Sequence, residues 1–110
     1  MVRDRHEATV DQMYLQLRSD LVGDRFSCST EQALRLGALA VHVEYPGGQR
    51  PDEALVEHYF APSVLRGPAR ANLYNSLMHE FDDVVELPQD QAKLQFIQVV
   101  FLNGSGIAVI

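Results

Sequence analysis

The stretch Ser29–Tyr45, S-T-E-Q-A-L-R-L-G-A-L-A-V-H-V-E-Y, limits what this chain can fold into more than any other part of it. Ser29 followed three residues later by Gln32 is a capping box, in which each side chain satisfies the other residue's backbone amide at a helix start. Behind it, Ala33, Leu34, Leu36, Ala38, Leu39, Ala40, Val41 and Val43 leave Glu31, Arg35 and His42 as one narrow polar stripe at helical spacing. Pro46 biases Tyr45 away from helical geometry and sets the end. A helix that is apolar on nearly every side has to be surrounded by other elements, which predicts the centre of a helical bundle.

The neighbours are present in the same sequence. Thr9 with Gln12 forms a second capping box, and Val10, Met13, Tyr14, Leu17 and Leu21 recur at i, i+3, i+4 until Gly23 offers a left-handed stop. Residues 1–8 are charged and aperiodic and are expected to be a disordered leader or cloning remnant, with order starting at Thr9. Phe26 is the expected core anchor of the connection that follows. Pro46-Gly47-Gly48-Gln49-Arg50-Pro51 is a loop. Asp52 and Glu53 suit the positive end of a short helix contributing Ala54, Leu55, Tyr59 and Phe60, and Pro62–Leu65 adds a further turn before Gly67-Pro68 breaks the chain.

Leu73, Leu77 and Phe81, flanked by Tyr74 and Met78, mark a helix from Ala69 to about Asp82. Glu80, Asp82 and Asp83 lie where acid opposes the helix dipole, so another pressure or a nearby cation is expected to account for them. Pro88 opens the last helix, with Ala92, Phe96, Val99 and Val100 on one face. Leu94, Ile97, Phe101 and Leu102 cover much of the rest, so this helix too is expected to be mostly buried, closing at Asn103-Gly104. The class is all-α, a compact bundle of four main helices plus a short one in residues 9–105. Residues 106–110 are apolar and β-prone, and are expected to begin a strand of a following lobe.

Composition narrows the chemistry. With 110 residues, 46% of them apolar, the chain suits one core. Its net charge of −6, with eight acidic against two basic residues between Pro51 and Asp90, disfavours nucleic acid and anionic membrane as general partners. A single cysteine, Cys28, rules out an internal disulfide and suits a reducing compartment. Cys28 lies beside a helix start that favours thiolate, but no basic partner accompanies it. His6, His42, His58 and His79 have no i, i+4 pair among them, so no metal site is expected. Ser27, Ser29 and Ser63 lack the strand-turn-helix setting of a nucleophile, and Gly47-Gly48 lacks the spacing of a phosphate loop. No catalytic residue and no cofactor are expected.

The run Met13–Ser29 resembles the start of the central, all-helical lobe of FERM domains, which reads aromatic, Leu, Gln, aliphatic, basic, any, Asp, two aliphatics, any, Gly, basic, apolar. Glu31–Tyr45 is similar to that family's second long helix, Tyr59-Phe60-Ala61-Pro62 to its aromatic-and-proline elbow, and Gln91–Gln98 to its last helix. The likeness runs in order from about Thr9 to Ile110. It implies an acyl-CoA-binding-protein-like helical fold between a ubiquitin-like and a pleckstrin-homology-like lobe. It also implies a non-catalytic, cytoplasmic role linking membrane proteins to cytoskeleton or signalling enzymes, with the other lobes and a cytoplasmic protein or receptor tail as partners. Ser105-Gly106 replaces the Tyr-Gly pair common in the family, and Lys93 is the only lysine where lipid-binding members carry clusters, so phosphoinositide binding by this lobe is not expected. The runner-up is an acyl-CoA-type ligand site, for which Tyr14, Tyr45, Tyr59 and Tyr74 could stack but basic residues are few. For partner docking the expected residues are Glu31, Arg35 and His42 on the central stripe, the cations Arg18 and Arg25, and the acidic run Asp82, Asp83 and Glu86.

Overall fold

A computed structural model describes residues 2–25 and 29–103. Five α-helices follow one another: α1 (Val2–Val22), α2 (Thr30–Glu44), α3 (Pro62–Leu65), α4 (Leu73–Val84) and α5 (Gln89–Asn103), with 3-10 turns at Pro46–Gly48, Glu53–Tyr59 and Pro68–Asn72. The all-α bundle of four main helices is as the sequence pattern predicts. The short helix expected after Asp52 is a 3-10 turn. The expected anchor Phe26, the thiol of Cys28 and the segment 106–110 lie outside the described residues.

The centre is α2. Both arms of its capping box are made: the Ser29 hydroxyl accepts from the Gln32 amide at 3.1 Å, and Gln32 Oε1 accepts from the Ser29 amide at 2.9 Å. Leu36, Ala38, Leu39, Ala40 and Val41 are fully buried, chiefly between α4 and α5. Gly37 stands where the elbow crosses: a Cβ there would lie 3.1 Å from Phe60 Cζ and 3.3 Å from Leu77 Cδ1. The close approach of helix and ring therefore uses the missing side chain. Phe60, Phe81 and Phe96 are the largest side chains sealed in the core.

Three helix boundaries differ from expectation: α4 begins at Leu73 rather than Ala69, because Pro68–Asn72 forms a 3-10 turn first, and both ends of α1 are displaced. α1 begins at Val2, not at Thr9, because nothing between Val2 and Ala8 is Gly or Pro and no breaker interrupts the turns. Thr9 is thus an interior helical residue. At the other end the left-handed residue is Asp24, with φ 62°, rather than Gly23. The Asp24 amide donates to Leu21 at 3.2 Å and the Arg25 amide to Asp20 at 2.9 Å, the paired bonds of a Schellman ending. An aspartate suits this position because its carboxylate also caps α3 from across the chain, Oδ2 accepting from the Ser63 amide at 3.2 Å and Oδ1 from the Ser63 hydroxyl at 3.0 Å.

α5 is one-sided rather than mostly buried. Ala92, Phe96, Ile97 and Val100 face the core, while Leu94 and Phe101 are exposed. The two exposed residues are seven apart and share a helix face that nothing else in the described chain covers. Similarly Met13, expected inside, lies on the outer side of α1.

The α2 end is sealed from a distance. The Tyr45 amide donates to Val41 at 2.7 Å, and Gln89 Nε2, in the first turn of α5, donates to the carbonyls of His42 at 3.0 Å and Val43 at 3.2 Å. The Tyr45 bond is the last of the helix's own ladder, and Gln89 satisfies two further carbonyls, those of His42 and Val43, that have no intrahelical partner.

Candidate functional site

The eight residues expected to dock partners do not converge. Glu31 is exposed in the first turn of α2, and Arg35 pairs with Glu80 at 3.3 Å. His42 is not on the surface: it is 4% exposed, with Nε2 donating to the Leu87 carbonyl at 2.6 Å and the ring edge-on to Phe81. The helical register does place His42 in line with Arg35, but the connection between α4 and α5 folds over that end of the stripe. Its Nδ1 is buried without a partner among the described residues. Asp82 pairs with Arg50 at 2.6 Å, and the Arg50 guanidinium lies over the Phe81 ring. Arg35 and Arg50 are thus the cations that offset the acid at the end of α4. Arg25, Asp83 and Glu86 are exposed.

Arg18 is the one member of the set that leads to a shared centre, and that centre is Glu44. Arg18 Nε donates to Glu44 Oε2 at 2.9 Å, the Tyr14 hydroxyl donates to the same oxygen at 3.1 Å, and the Tyr59 hydroxyl donates to Oε1 at 3.0 Å. The Arg18 guanidinium also stacks 4.3 Å from the Tyr59 ring centroid, and Tyr14 meets Phe96 edge-on at 5.0 Å. One carboxylate therefore joins α1, the end of α2 and the elbow. Burial first, then the adjacent Glu44 charge, pushes the phenol pKa of both tyrosines well above the ordinary value, holding them as donors. The sequence pattern alone did not single out Glu44, although a signal was present. Tyr14 and Arg18 are four apart on the buried side of α1, and a buried phenol needs an acceptor.

Beside this cluster α1, the end of α2 and α5 leave a groove of about 330 Å³ lined by Asp11, Tyr14, Leu15, Val43, Glu44 and Lys93. Lys93 Nζ donates to Asp11 Oδ1 at 2.7 Å across its edge. No group of three or more His, Cys, Asp or Glu among the described residues is disposed to hold a metal ion. What the groove offers is a contact surface: an apolar wall, two carboxylates and an ammonium.

A family model for the FERM central domain matches residues 3–101. The chain belongs to the FERM central domain family. This FERM lobe is 31% identical over 100 residues, 86% of its length, to mouse tyrosine-protein phosphatase non-receptor type 13. It is 31% identical over 103 residues, 87% of its length, to mouse FERM and PDZ domain-containing protein 2. Against mouse tyrosine-protein phosphatase non-receptor type 14 it is 31% identical over 109 residues, 94% of its length. The lobe spans only 4%, 7% and 9% of these three relatives. No solved structure matches it at comparable stringency. Membership makes the lobe part of a non-catalytic interaction module, as the resemblance of Met13–Ser29 implied.

Proposed function

We propose that this FERM lobe serves a cytoplasmic adaptor or scaffold as a docking surface between membrane proteins and the cytoskeleton or signalling enzymes. The observation that carries the reading is the family match over nearly the whole chain. Consistent with it, the polar side chains at the Glu44 centre are used to join helices rather than arranged around an open reaction centre. Its nearest partners are the other lobes of the same domain, with the helical lobe running from α1 to about residue 105, its start moved back from Thr9 by the extent of α1, and 106–110 entering the next. The outward Leu94 and Phe101 support such a neighbour. Exposed Arg25, Glu31, Asp83 and Glu86, with half-exposed Arg35, are the remaining surface for a cytoplasmic partner.

A peripheral location at the plasma membrane or cytoskeleton follows from the same reading. No helix among the described residues is long and apolar enough to cross a membrane. A phosphoinositide role is disfavoured by the acidic balance. Acyl-CoA binding needs free cations near stacking rings, whereas Arg18, the cation beside Tyr59, is already paired with Glu44.

The test is proximity labelling in cells with the lobe in its parent protein, compared with a Leu36→Asp variant that disrupts the core. The adaptor reading expects labelled membrane or cortical proteins that disappear with the variant. An unchanged pattern refutes it, as does saturable heat with a long-chain acyl-CoA at low micromolar concentration in calorimetry.

A further inference from the structure

The groove beside α1 gives the docking role a specific chemistry. Leu15 is 61% exposed, well above the other large apolar residues on the described surface. With Val43 it walls a groove of about 330 Å³, at the lower end of the size of small-ligand sites and large enough for about one or two side chains. The charges on the rim are ordered in depth. The Lys93 side chain is 25% exposed and its partner Asp11 57%; Arg18 is 15% exposed and its partner Glu44 36%. In both pairs the cation is the inner member and the carboxylate the outer, so an approaching molecule meets negative charge first. Both carboxylates also retain acceptor capacity, because each has about four lone-pair sites and Glu44 receives three donors while Asp11 receives Lys93.

We infer that this groove binds a partner-protein segment presenting an aliphatic side chain, seated against Leu15 and Val43, next to a lysine or arginine directed at Asp11 and Glu44. The inference rests on the protein-interaction reading above. An anionic headgroup would face the outer carboxylates and meets the wrong sign. Lys93, the chain's only lysine, competes with the incoming cation for Asp11.

Amide chemical-shift mapping of the 110-residue chain tests this with capped hexapeptides carrying adjacent leucine and arginine, and a matched set in which glutamate replaces arginine. Titration to about 10 mM registers contacts with millimolar dissociation constants. The expected result is shifts at Asp11, Leu15, Val43 and Lys93, with affinity falling roughly fivefold for the glutamate set, as for a lost exposed ion pair. Leu15→Ser, on the outer face, should weaken binding roughly tenfold by removing the apolar seat. Lys93→Met should tighten it, an outcome that a merely structural lysine would not produce. Absence of shifts, equal binding of the glutamate set, indifference to Leu15→Ser or weaker binding by Lys93→Met each overturns the groove. Shifts confined to another face overturn the groove and leave the protein-interaction reading standing; no shift with either set anywhere counts against both.

Discussion

Removing the Glu44 carboxylate is the sharpest test of how this lobe is held together. In Glu44→Gln, the side chain keeps its length but loses its charge and offers one acceptor oxygen where three donors converge. Hydrogen bonds to charged groups contribute about 1.5–3 kcal/mol each, and breaking a buried ion pair costs about 3–5 kcal/mol. Those figures do not add here. The Glu44 side chain is 36% exposed, so water can reach the freed donors from the groove side, and the ion-pair share must be discounted. The two phenols are sealed by Phe96 and the elbow and cannot both be rescued. The net expectation is a loss of about 2–3 kcal/mol, a large part of a typical domain's stability. Tyr59→Phe, which deletes one donor and leaves the carboxylate paired, should cost about 1 kcal/mol. Urea unfolding of the 110-residue chain, with slopes compared among variants, measures both. A Glu44→Gln loss under about 0.5 kcal/mol, within the range of ordinary surface changes, would refute the idea that one carboxylate organises the junction.

The same tyrosines set an alkaline limit. Their folded pKa values lie above the unfolded value of 10.0, so the stability they contribute is complete below about pH 10 and is lost as pH rises through the folded values. Tyrosinate absorbance, clean in a chain without tryptophan, should therefore include a component that appears together with loss of helical circular dichroism; complete titration in a still-folded chain contradicts this. Gly37→Ala gains about 1 kcal/mol of helix propensity but pushes a methyl into Phe60 and Leu77, an overpacking cost of about 1–3 kcal/mol. A lower melting temperature is expected, partly relieved by Phe60→Leu, and stabilisation by Gly37→Ala alone would show that the elbow gives way freely. Asp24→Ala should cost about 2 kcal/mol by combining a lost cap with an alanine in left-handed geometry, while Asp24→Gly should recover about half of that; equal losses in denaturant unfolding would remove the left-handed contribution.

The parts of this fold that were legible in sequence are those where local chemistry and burial agree. Ser29 and Gln32 announced a cap that forms, and Leu73, Leu77 and Phe81 announced a face that is buried. The acid at the end of α4 called for either another pressure or a nearby cation, and the structure places Arg35 against Glu80 and Arg50 against Asp82. What failed depended on distant partners. Periodicity put His42 beside Arg35 correctly, yet could not show that Leu87 lies over it. Gly23 looked like the left-handed residue because glycine is the local favourite, whereas Asp24 takes that geometry and also caps Ser63, 39 residues away in sequence. Of the candidate surface, only Arg18 touched the groove region, and the apolar Leu15 and the carboxylates of Asp11 and Glu44 went unnoticed. An exposed leucine in an amphipathic pattern reads as tolerated noise until the groove around it is seen.

The bonds of Gln89 to the end of α2, with that of His42 to Leu87, tie positions 45 to 47 residues apart. They make the stretch Tyr45–Pro88 a noncovalent ring, pinched at its neck, through which the polypeptide leaves the central helix and returns to it. A ring closed in this way separates its own upkeep from that of its base: lengthening it at Gly47-Gly48 adds only about 0.6 kcal/mol of closure entropy per doubling of loop length. A nick there would sever the backbone while the neck still held the two pieces in register. The lobe can therefore be entered or extended at that point by sequence change with little cost to α2 and α5, and the Glu44 junction, which draws on Tyr59 inside the ring, is where any larger distortion of the ring would first be felt.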